Sequence, residues 1–464
     1  MTLRFLLTEK NEFMRLSREL RSIKTFKDIT TFFDKKKYSG FAIAGLYTFN
    51  LAILFQLIDG IFNPYRDTML LLFPISINSL VPILMMIWLI SIIMLFIKQK
   101  YDEFSFRKFL IDYRAIIFFV VTFAFLLISE FLNGWKSISW NGDQFRNEGA
   151  FTYFRYLLVY FPLGILVTEN RYKLIFARVS IILSTVVGIF GLWKQYCVEE
   201  VFIDESAVCA LWNNSNHYGY YLAINIILTG IIFVYEKKLF WRILDILMLA
   251  FQIVVLTLNN TFGAWLAVFT TYILYIIVST VMTKKMNKYG CISFVVFIGV
   301  TLLTGIWNDN ITSSLFMFFT DFHDVMKNPE EADSAGSSRW VLWKATMKYI
   351  SEKPLLGWGV EGISQRLKVE AGAERTHNEY LQYAAFFGIP NVICYITGCA
   401  LVFLRAVRRW NDIEPGTKVC VCGALAYFIS ATFGVSMYYT APLFFVYLGL
   451  GYASPNKKVS EEFF

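Results

Sequence analysis

One polar stretch of an otherwise apolar chain, Ser337 to Gly388, contains the two side chains best suited to chemistry. His377 is one of three histidines. Because imidazole titrates near neutrality, it can take a proton from a hydroxyl group or orient that group. Arg339 presents a rigid fork of charged donors that matches phosphate oxygens. The structural alternatives are a histidine that caps a helix at the membrane interface and an arginine that lies on the surface.

Residues 140–156 form a second polar cluster and add two arginines. Arg155 stands about one turn inside an apolar run, where an arginine is costly unless it is paired or lines a wet cavity. We therefore predict a functional role for Arg155. Arg146 lies in the preceding loop and is either a phosphate contact or plain surface charge. Glu130 and Glu148 are the structural alternative, as partners of the two arginines.

Asparagines mark the third cluster, residues 212–223, and also flank the histidine. Asn214 and Asn216 can hydrogen-bond sugars, with the neighbouring aromatic rings stacking on them, and Asn378 stands beside His377. The structural alternative is helix capping by asparagine within an interfacial aromatic belt. Arginines, a histidine, amides and aromatic rings together suit a diphosphate with sugars attached.

Composition sets the class of protein that must position these residues. The chain has 464 residues, of which 56% are hydrophobic and 17% are charged, whereas about a quarter of the residues of a soluble domain are charged. We predict an all-α polytopic membrane protein. The net charge of +8 does not indicate nucleic acid, because most basic residues lie in short loops between apolar runs.

Apolar runs that reach or approach the length of a membrane span predict about twelve transmembrane helices. The predicted ranges are 40–62, 70–97, 115–132, 151–168, 179–195, 216–235, 243–258, 262–283, 290–306, 379–404, 418–435 and 437–453. These divide the chain into a basic N-terminal segment (1–39), helices one to nine (40–306), a large loop (307–378), and helices ten to twelve with a short tail (379–464).

The distribution of Lys and Arg predicts the orientation. With the N-terminus inside, 30 of the 43 Lys and Arg residues fall in inside segments, and 8 of the other 13 lie in the 307–378 loop. Both termini are therefore expected in the cytoplasm and the polar clusters outside it. No ATP is present there, and no nucleotide or metal motif occurs in the chain. We expect an enzyme without cofactor or metal that uses an already activated substrate.

The long loop is expected to be ordered rather than a passive connection. Its sequence predicts an amphipathic helix from Ser338 to Ile350, ended by Pro354, and a turn at residues 357–359. In another outer loop, Cys197 and Cys209 form a candidate disulfide.

Several segments of the polar stretch from Ser337 to Gly388 resemble the signature of the O-antigen ligase and O-antigen polymerase superfamily. The matching residues are Arg339-x-x-x-Trp343, then Pro354-Leu355-Leu356-Gly357-Trp358-Gly359, then His377-Asn378-x-Tyr380-Leu381-Gln382 and Gly388. The resemblance implies a C-type glycosyltransferase fold in the bacterial cytoplasmic membrane. Such enzymes transfer a glycan from undecaprenyl diphosphate to an acceptor hydroxyl without a metal.

The resemblance also implies roles for individual residues. Relatives have a histidine at the position of His377 and an arginine at that of Arg339, which implies a general base or acceptor orienter and a diphosphate clamp. Arg146 and Arg155 would be further phosphate contacts. The chain departs from the pattern at Phe262, where many relatives carry an arginine, and at Phe386, where relatives often have an acidic residue.

Polymerase and ligase share this signature, and we favour the polymerase. The implied partners are a lipid-linked oligosaccharide donor, a glycan or lipid-linked glycan acceptor, and other polysaccharide-assembly proteins. The competing class is a lipid-linked glycan transporter. A transporter would be expected to show internal repeats and polar residues near the middle of the bilayer, and the chain shows neither pattern.

Overall fold

The computed structural model describes residues 38–63, 113–143, 146–198, 207–212, 214–306, 310–328 and 334–452. Within these ranges the chain is helical and has no strand. Leaving out the single turns at 138–141 and 431–433, the helices are α1 Tyr38–Phe62, α2 Arg114–Leu132, α3 Ala150–Leu166, α4 Asn170–Cys197, α5 Ser215–Tyr235, α6 Leu239–Asn259, α7 Phe262–Thr283, α8 Lys288–Gly305, α9 Asn310–Lys327, α10 Ala335–Glu352, α11 Ser364–Ala371, α12 Glu379–Phe387, α13 Ile389–Arg408, α14 Pro415–Ser430 and α15 Ala441–Leu450.

Nine helices of the described part are long and apolar enough to cross a membrane, namely α1, α2, α4 to α8, α13 and α14. Two shorter apolar helices, α3 and α15, accompany them. The chain is thus an all-α polytopic membrane protein, as predicted. The helix predicted at 70–97, the segment 1–37 and the tail beyond 452 lie outside the described residues, so the count of twelve stays a prediction.

Helix α5 is the centre of the bundle. It is apolar on all sides and packs against α4, α6, α7, α8 and α14, and almost all of its residues are buried. A helix that is hydrophobic all round belongs in the interior of a large helical protein. Gly230 permits the close approach of α7, because a Cβ there would lie 1.9 Å from the hydroxyl oxygen of Tyr272.

Polar contacts pin the two ends of the bundle. At one end Arg178 of α4 donates to Glu236 after α5 (Nη2 to Oε2, 2.7 Å) and to the buried Asp245 of α6. At the other end Asn259 of α6 donates from Nδ2 to the carbonyl oxygen of Ser215, the first residue of α5 (3.0 Å). We call this second end, where α5 begins, the site end.

Of the two predictions about residues 307–404, the helix in the long loop is confirmed and the single helix at 379–404 is wrong. The long loop contains three helices, α9 to α11, of which α10 confirms and extends the helix predicted from Ser338. The single helix predicted at 379–404 is broken at Gly388 (φ +92°), between α12 and α13. The break exists because the segment Pro354–Gly359 inserts there.

Backbone hydrogen bonds hold that segment in place. The amide of Gly359 donates to the carbonyl of Phe386 (2.8 Å), and the amide of Ile389 donates to the carbonyl of Pro354 (2.8 Å). A Cβ at Gly388 would lie 2.1 Å from the carbonyl oxygen of Leu355, so only glycine fits. The glycines of this motif are therefore structural, and they join the segment after α10 to the end of α12.

Other expectations need smaller corrections. Helix α4 begins at Asn170 rather than 179, and α15 spans Ala441–Leu450 rather than 437–453. Cys197 is exposed and Cys209 half-buried, and no disulfide joins them in the structure.

Candidate functional site

His377 occupies a clamped turn directly before α12. Its φ of +49° lies in the left-handed region, which is sterically unfavourable for residues other than glycine. The neighbouring Thr376 holds the turn, because its hydroxyl donates to the carbonyl of Asn378 (2.7 Å) and its amide donates to Gln382 Oε1 (3.2 Å). The indole of Trp343 donates to the carbonyl of Thr376 (3.0 Å). The backbone of the turn that carries the imidazole is thus held by its neighbours.

Arg339 reaches the site from α10. It lies four residues before Trp343, which puts both side chains on one face of the helix. Its Nη2 lies 3.5 Å from Oδ1 of Asn216, at the start of α5. Among the described residues no carboxylate lies within ion-pair distance of Arg339. A half-buried cation next to the positive N-terminus of α5 favours binding of an anion.

Two of the predicted asparagines cap helices. The Oδ1 atom of Asn214 accepts from the amide of Asn216 (2.9 Å) at the start of α5. The Oδ1 atom of Asn378 accepts from the amides of Tyr380 and Leu381 (3.1 Å each) at the start of α12. Their carboxamide oxygens are therefore engaged by the backbone, whereas the side chain of Asn216 faces Arg339.

The protonation state of His377 suits a proton acceptor. Burial, followed by the charges of Arg339 and Arg146, lowers the pKa of His377 to about 4. The imidazole is consequently neutral near pH 7 and has a nitrogen lone pair available for a hydroxyl proton.

The two arginines of the second cluster have different surroundings. Arg146 forms an ion pair with Glu374 (Nη2 to Oε2, 3.2 Å) and is the one that acts on the pKa of His377. Arg155 lies on a π-helical turn inside α3, with its guanidinium 4.0 Å from the ring centre of Phe151. Glu130, named as a candidate partner, instead accepts from the amide of Val360.

His217 belongs to the site although it was not selected from the sequence. It is buried at the start of α5, within electrostatic range of His377, and its ring packs edge-on against Tyr439 at 5.2 Å. Its Nδ1 atom has no hydrogen-bond partner among the described residues. The sequence signal was its place in the asparagine-rich segment, directly after Asn216.

Three further ionisable residues lie behind the histidine turn. Arg375 is buried, forms an ion pair with Glu361 and lies 3.9 Å from Asp143 (Nη2 to Oδ2). Burial raises the pKa of Glu148 to about 8, against the opposing charge of Arg375. Burial also raises the pKa of Glu379 to about 7, while its Oε1 accepts from Tyr395 at 2.9 Å. The sequence indicated Glu148 only as a possible partner of the two arginines, and it did not single out Arg375 or Glu379.

Phe262, at which the sequence departs from the family pattern, lies in an aromatic cluster. The ring of Phe262 stacks on Trp265 (centroids 6.2 Å apart) and lies 5.5 Å from the ring of Phe318. Apolar packing therefore occupies the position at which many relatives carry an arginine.

Residues 243–396 match the family model described as O-antigen ligase. The matched segment runs from α6 into α13 and includes Arg339, Trp343 and His377. No curated protein matches the chain. The family match supports a membrane enzyme of the O-antigen ligase and polymerase type, as the resemblance of the motifs implied.

Proposed function

We propose that this protein, which carries an O-antigen ligase-related segment at residues 243–396, moves a glycan from an undecaprenyl-diphosphate carrier to an acceptor hydroxyl. In this proposal it polymerises the repeat units of a surface polysaccharide. The observation that carries the proposal is the pairing of a neutral imidazole, His377, with a nearby arginine, Arg339, that has no carboxylate partner in the described part of the chain.

Arg339 is proposed to bind the diphosphate. Negative charge grows on the leaving group as its bond to the sugar breaks, and a cation fixed in advance stabilises that charge most effectively. The helical N-terminus beside Asn216 adds partial positive charge at the same place. Arg146 and Arg155 are proposed as weaker or more distant contacts of the carrier, since Arg146 is already paired with Glu374.

His377 is proposed to accept the proton of the acceptor hydroxyl. The hydroxyl oxygen forms a bond to the anomeric carbon, and the bond from that carbon to the phosphate oxygen breaks with its electron pair leaving on the diphosphate. The configuration of the anomeric carbon inverts, and His377 then releases its proton to water. A well-placed base contributes about 10²- to 10⁴-fold to such a step.

The proposed orientation puts the site end outside the cytoplasm and both termini inside. The Lys and Arg distribution supports it, and so does the gathering of the predicted polar clusters at one end of the bundle. A reporter fused at residue 345 is expected outside and one fused at residue 286 inside. The reverse result would contradict the orientation without contradicting the chemistry.

The deciding experiment uses purified protein in vesicles with a lipid-diphosphate-linked oligosaccharide from producing cells. A ladder of growing chains is expected from a polymerase, and a single transfer to another acceptor from a ligase. Movement of the lipid across the bilayer without product would indicate a transporter. His377→Ala is expected to abolish product at unchanged membrane abundance. The matched control is His323→Ala, because His323 is exposed on α9. Undiminished product from His377→Ala would remove His377 from the mechanism.

A further inference from the structure

We propose that Glu148 and Arg375 form a subsite for a hydroxyl group of the acceptor sugar, separate from the anion contact at Arg339. This inference rests on the proposed glycosyl transfer and adds to it where the acceptor binds.

Both side chains are buried, and each has polar atoms without a hydrogen-bond partner among the described residues. Glu148 is 4% exposed, and its Oε1 atom has no hydrogen-bond partner among the described residues. Arg375 is 3% exposed, and its Nε and Nη1 atoms have none either, although its Nη2 binds Glu361. A buried polar group without a partner costs about 1–3 kcal/mol, so such groups in a folded protein call for an explanation such as a ligand.

The two residues lie next to the proposed base. Arg375 is two positions before His377, which limits their Cα separation to about 7 Å. The charge of Arg146 acts on both His377 and Glu148, so both side chains lie within electrostatic range of Arg146. The charge of Arg375 acts on Glu148 as well, and the Oε1 atom of Glu148 has no hydrogen-bond partner among the described residues.

The unpaired atoms match a hydroxyl better than a phosphate. A hydroxyl both donates and accepts, and the subsite offers an open acceptor on Glu148 and open donors on Arg375. A diphosphate only accepts, and here it would also meet acidic groups. Asp143, Glu361 and Glu374 offset the charges of Arg375 and Arg146. The two sides of the histidine therefore differ in charge, and the uncompensated Arg339 remains the diphosphate side.

The test compares Glu148→Leu and Arg375→Met with the wild-type protein in vesicles. The donor is the lipid-diphosphate-linked oligosaccharide at saturating concentration, and the acceptor is the free oligosaccharide released from that lipid. Both variants are expected to raise the KM for the acceptor about tenfold and to leave the KM for the donor within about twofold. Glu148→Gln is expected to change less, because its carboxamide oxygen still accepts. The matched controls are Glu370→Leu and Arg366→Met, both on the exposed surface.

Two results would overturn the subsite. If the KM for the donor rises as much as the KM for the acceptor, Glu148 and Arg375 contact the diphosphate rather than the acceptor. If the KM for the acceptor does not change, the two residues have a structural role and water fills their open hydrogen bonds. If Glu148→Leu or Arg375→Met does not purify as a folded protein, Arg375→Lys decides by the same comparison, because lysine keeps the charge but loses the Nε and Nη1 donors. A tryptophan-fluorescence titration with the free oligosaccharide separates the two proposals. Wild-type binding that Glu148→Leu weakens, without any transfer, would contradict the proposed function and not the subsite.

Discussion

The indole N–H of Trp343 donates to the carbonyl oxygen of Thr376 at 3.0 Å, so the helix that carries Arg339 also holds the turn that carries His377. Helix α10 thereby fixes the position of Arg339, the proposed phosphate contact, relative to His377, the proposed base. Because reacting groups must be placed within fractions of an ångström, this hydrogen bond is expected to matter for rate more than for stability.

Trp343→Phe is expected to lower kcat about tenfold or more, since the turn loses its hydrogen bond while the aromatic packing is kept. The matched control is Trp358→Phe, because the Trp358 indole donates to the carbonyl of Tyr349 (2.9 Å), away from the histidine turn. Rates of transfer and thermal unfolding are measured for both variants. Equal effects of the two substitutions on kcat would show that Trp343 has no special role at His377.

Arg339→Lys is expected to reduce kcat/KM for the lipid-diphosphate donor about tenfold to a hundredfold. A lysine keeps the charge but does not reproduce the fork of donors that matches phosphate oxygens. Arg366→Lys serves as the control, because Arg366 stacks on Trp358 at the surface. Donor kinetics near those of the wild type in Arg339→Lys would favour a structural role for Arg339.

The pH profile of kcat/KM is expected to fall on the acid side near pH 4 rather than near 6.5. Below its pKa His377 is protonated and cannot accept a proton, and burial together with Arg339 and Arg146 lowers that pKa to about 4. His217 also lies within electrostatic range of His377.

Removal of the positive charge of Arg146 tests whether His377 is the group that titrates on the acid side. Arg146→Met is expected to move the acid limb upward, because it removes a charge that opposes protonation of His377. Glu374→Gln should not move the limb upward, because it removes the carboxylate paired with Arg146. An acid limb that stays in place in Arg146→Met would argue against His377 as the titrating base.

Gly388→Ala is expected to destabilise the protein by about 3 kcal/mol or more, because the added Cβ meets the carbonyl of Leu355 and the backbone is left-handed. Gly372→Ala is the comparison for a positive-φ glycine without a close neighbour, and its ψ of −4°, against 162° at Gly388, makes its backbone strain the smaller of the two. Gly372 has a similar φ of +78°, but nothing lies within 4 Å of an added Cβ, so only the backbone strain of about 1–2 kcal/mol applies. Thermal unfolding in detergent measures both. Similar losses would mean that the close approach of the Pro354–Gly359 segment is unimportant.

The sequence predicted much of the fold because hydropathy is a local property. Runs such as 216–235 and 262–283 coincide with α5 and α7 almost to the residue, since each apolar run must form its own backbone hydrogen bonds inside a bilayer. Because hydropathy is local, it also led to the wrong prediction of a single helix at 379–404, which is broken at Gly388. An apolar run of 379–404 gives no sign that a distant segment will insert into it.

The candidate site was predicted in part. The signature motifs identified Arg339 and His377, and the structure brings both to the start of α5 together with Asn216 and Arg146. His217 and Arg375 were not selected, and Glu148 was named only as a possible ion-pair partner, because a buried polar group is recognised by its neighbours and not by its place in the chain.

The sequence by itself determined that this is a helical membrane protein, where most of its described helices lie, and which of its motifs resemble those of the O-antigen ligase family. Only the tertiary structure decided which polar residues meet. Arg339 contacts Asn216 across 123 positions of the chain, and Arg146 pairs with Glu374 rather than with Glu130. The physical reason is that apolar transfer free energy is set residue by residue, whereas hydrogen bonds and ion pairs depend on how separate helices pack against each other.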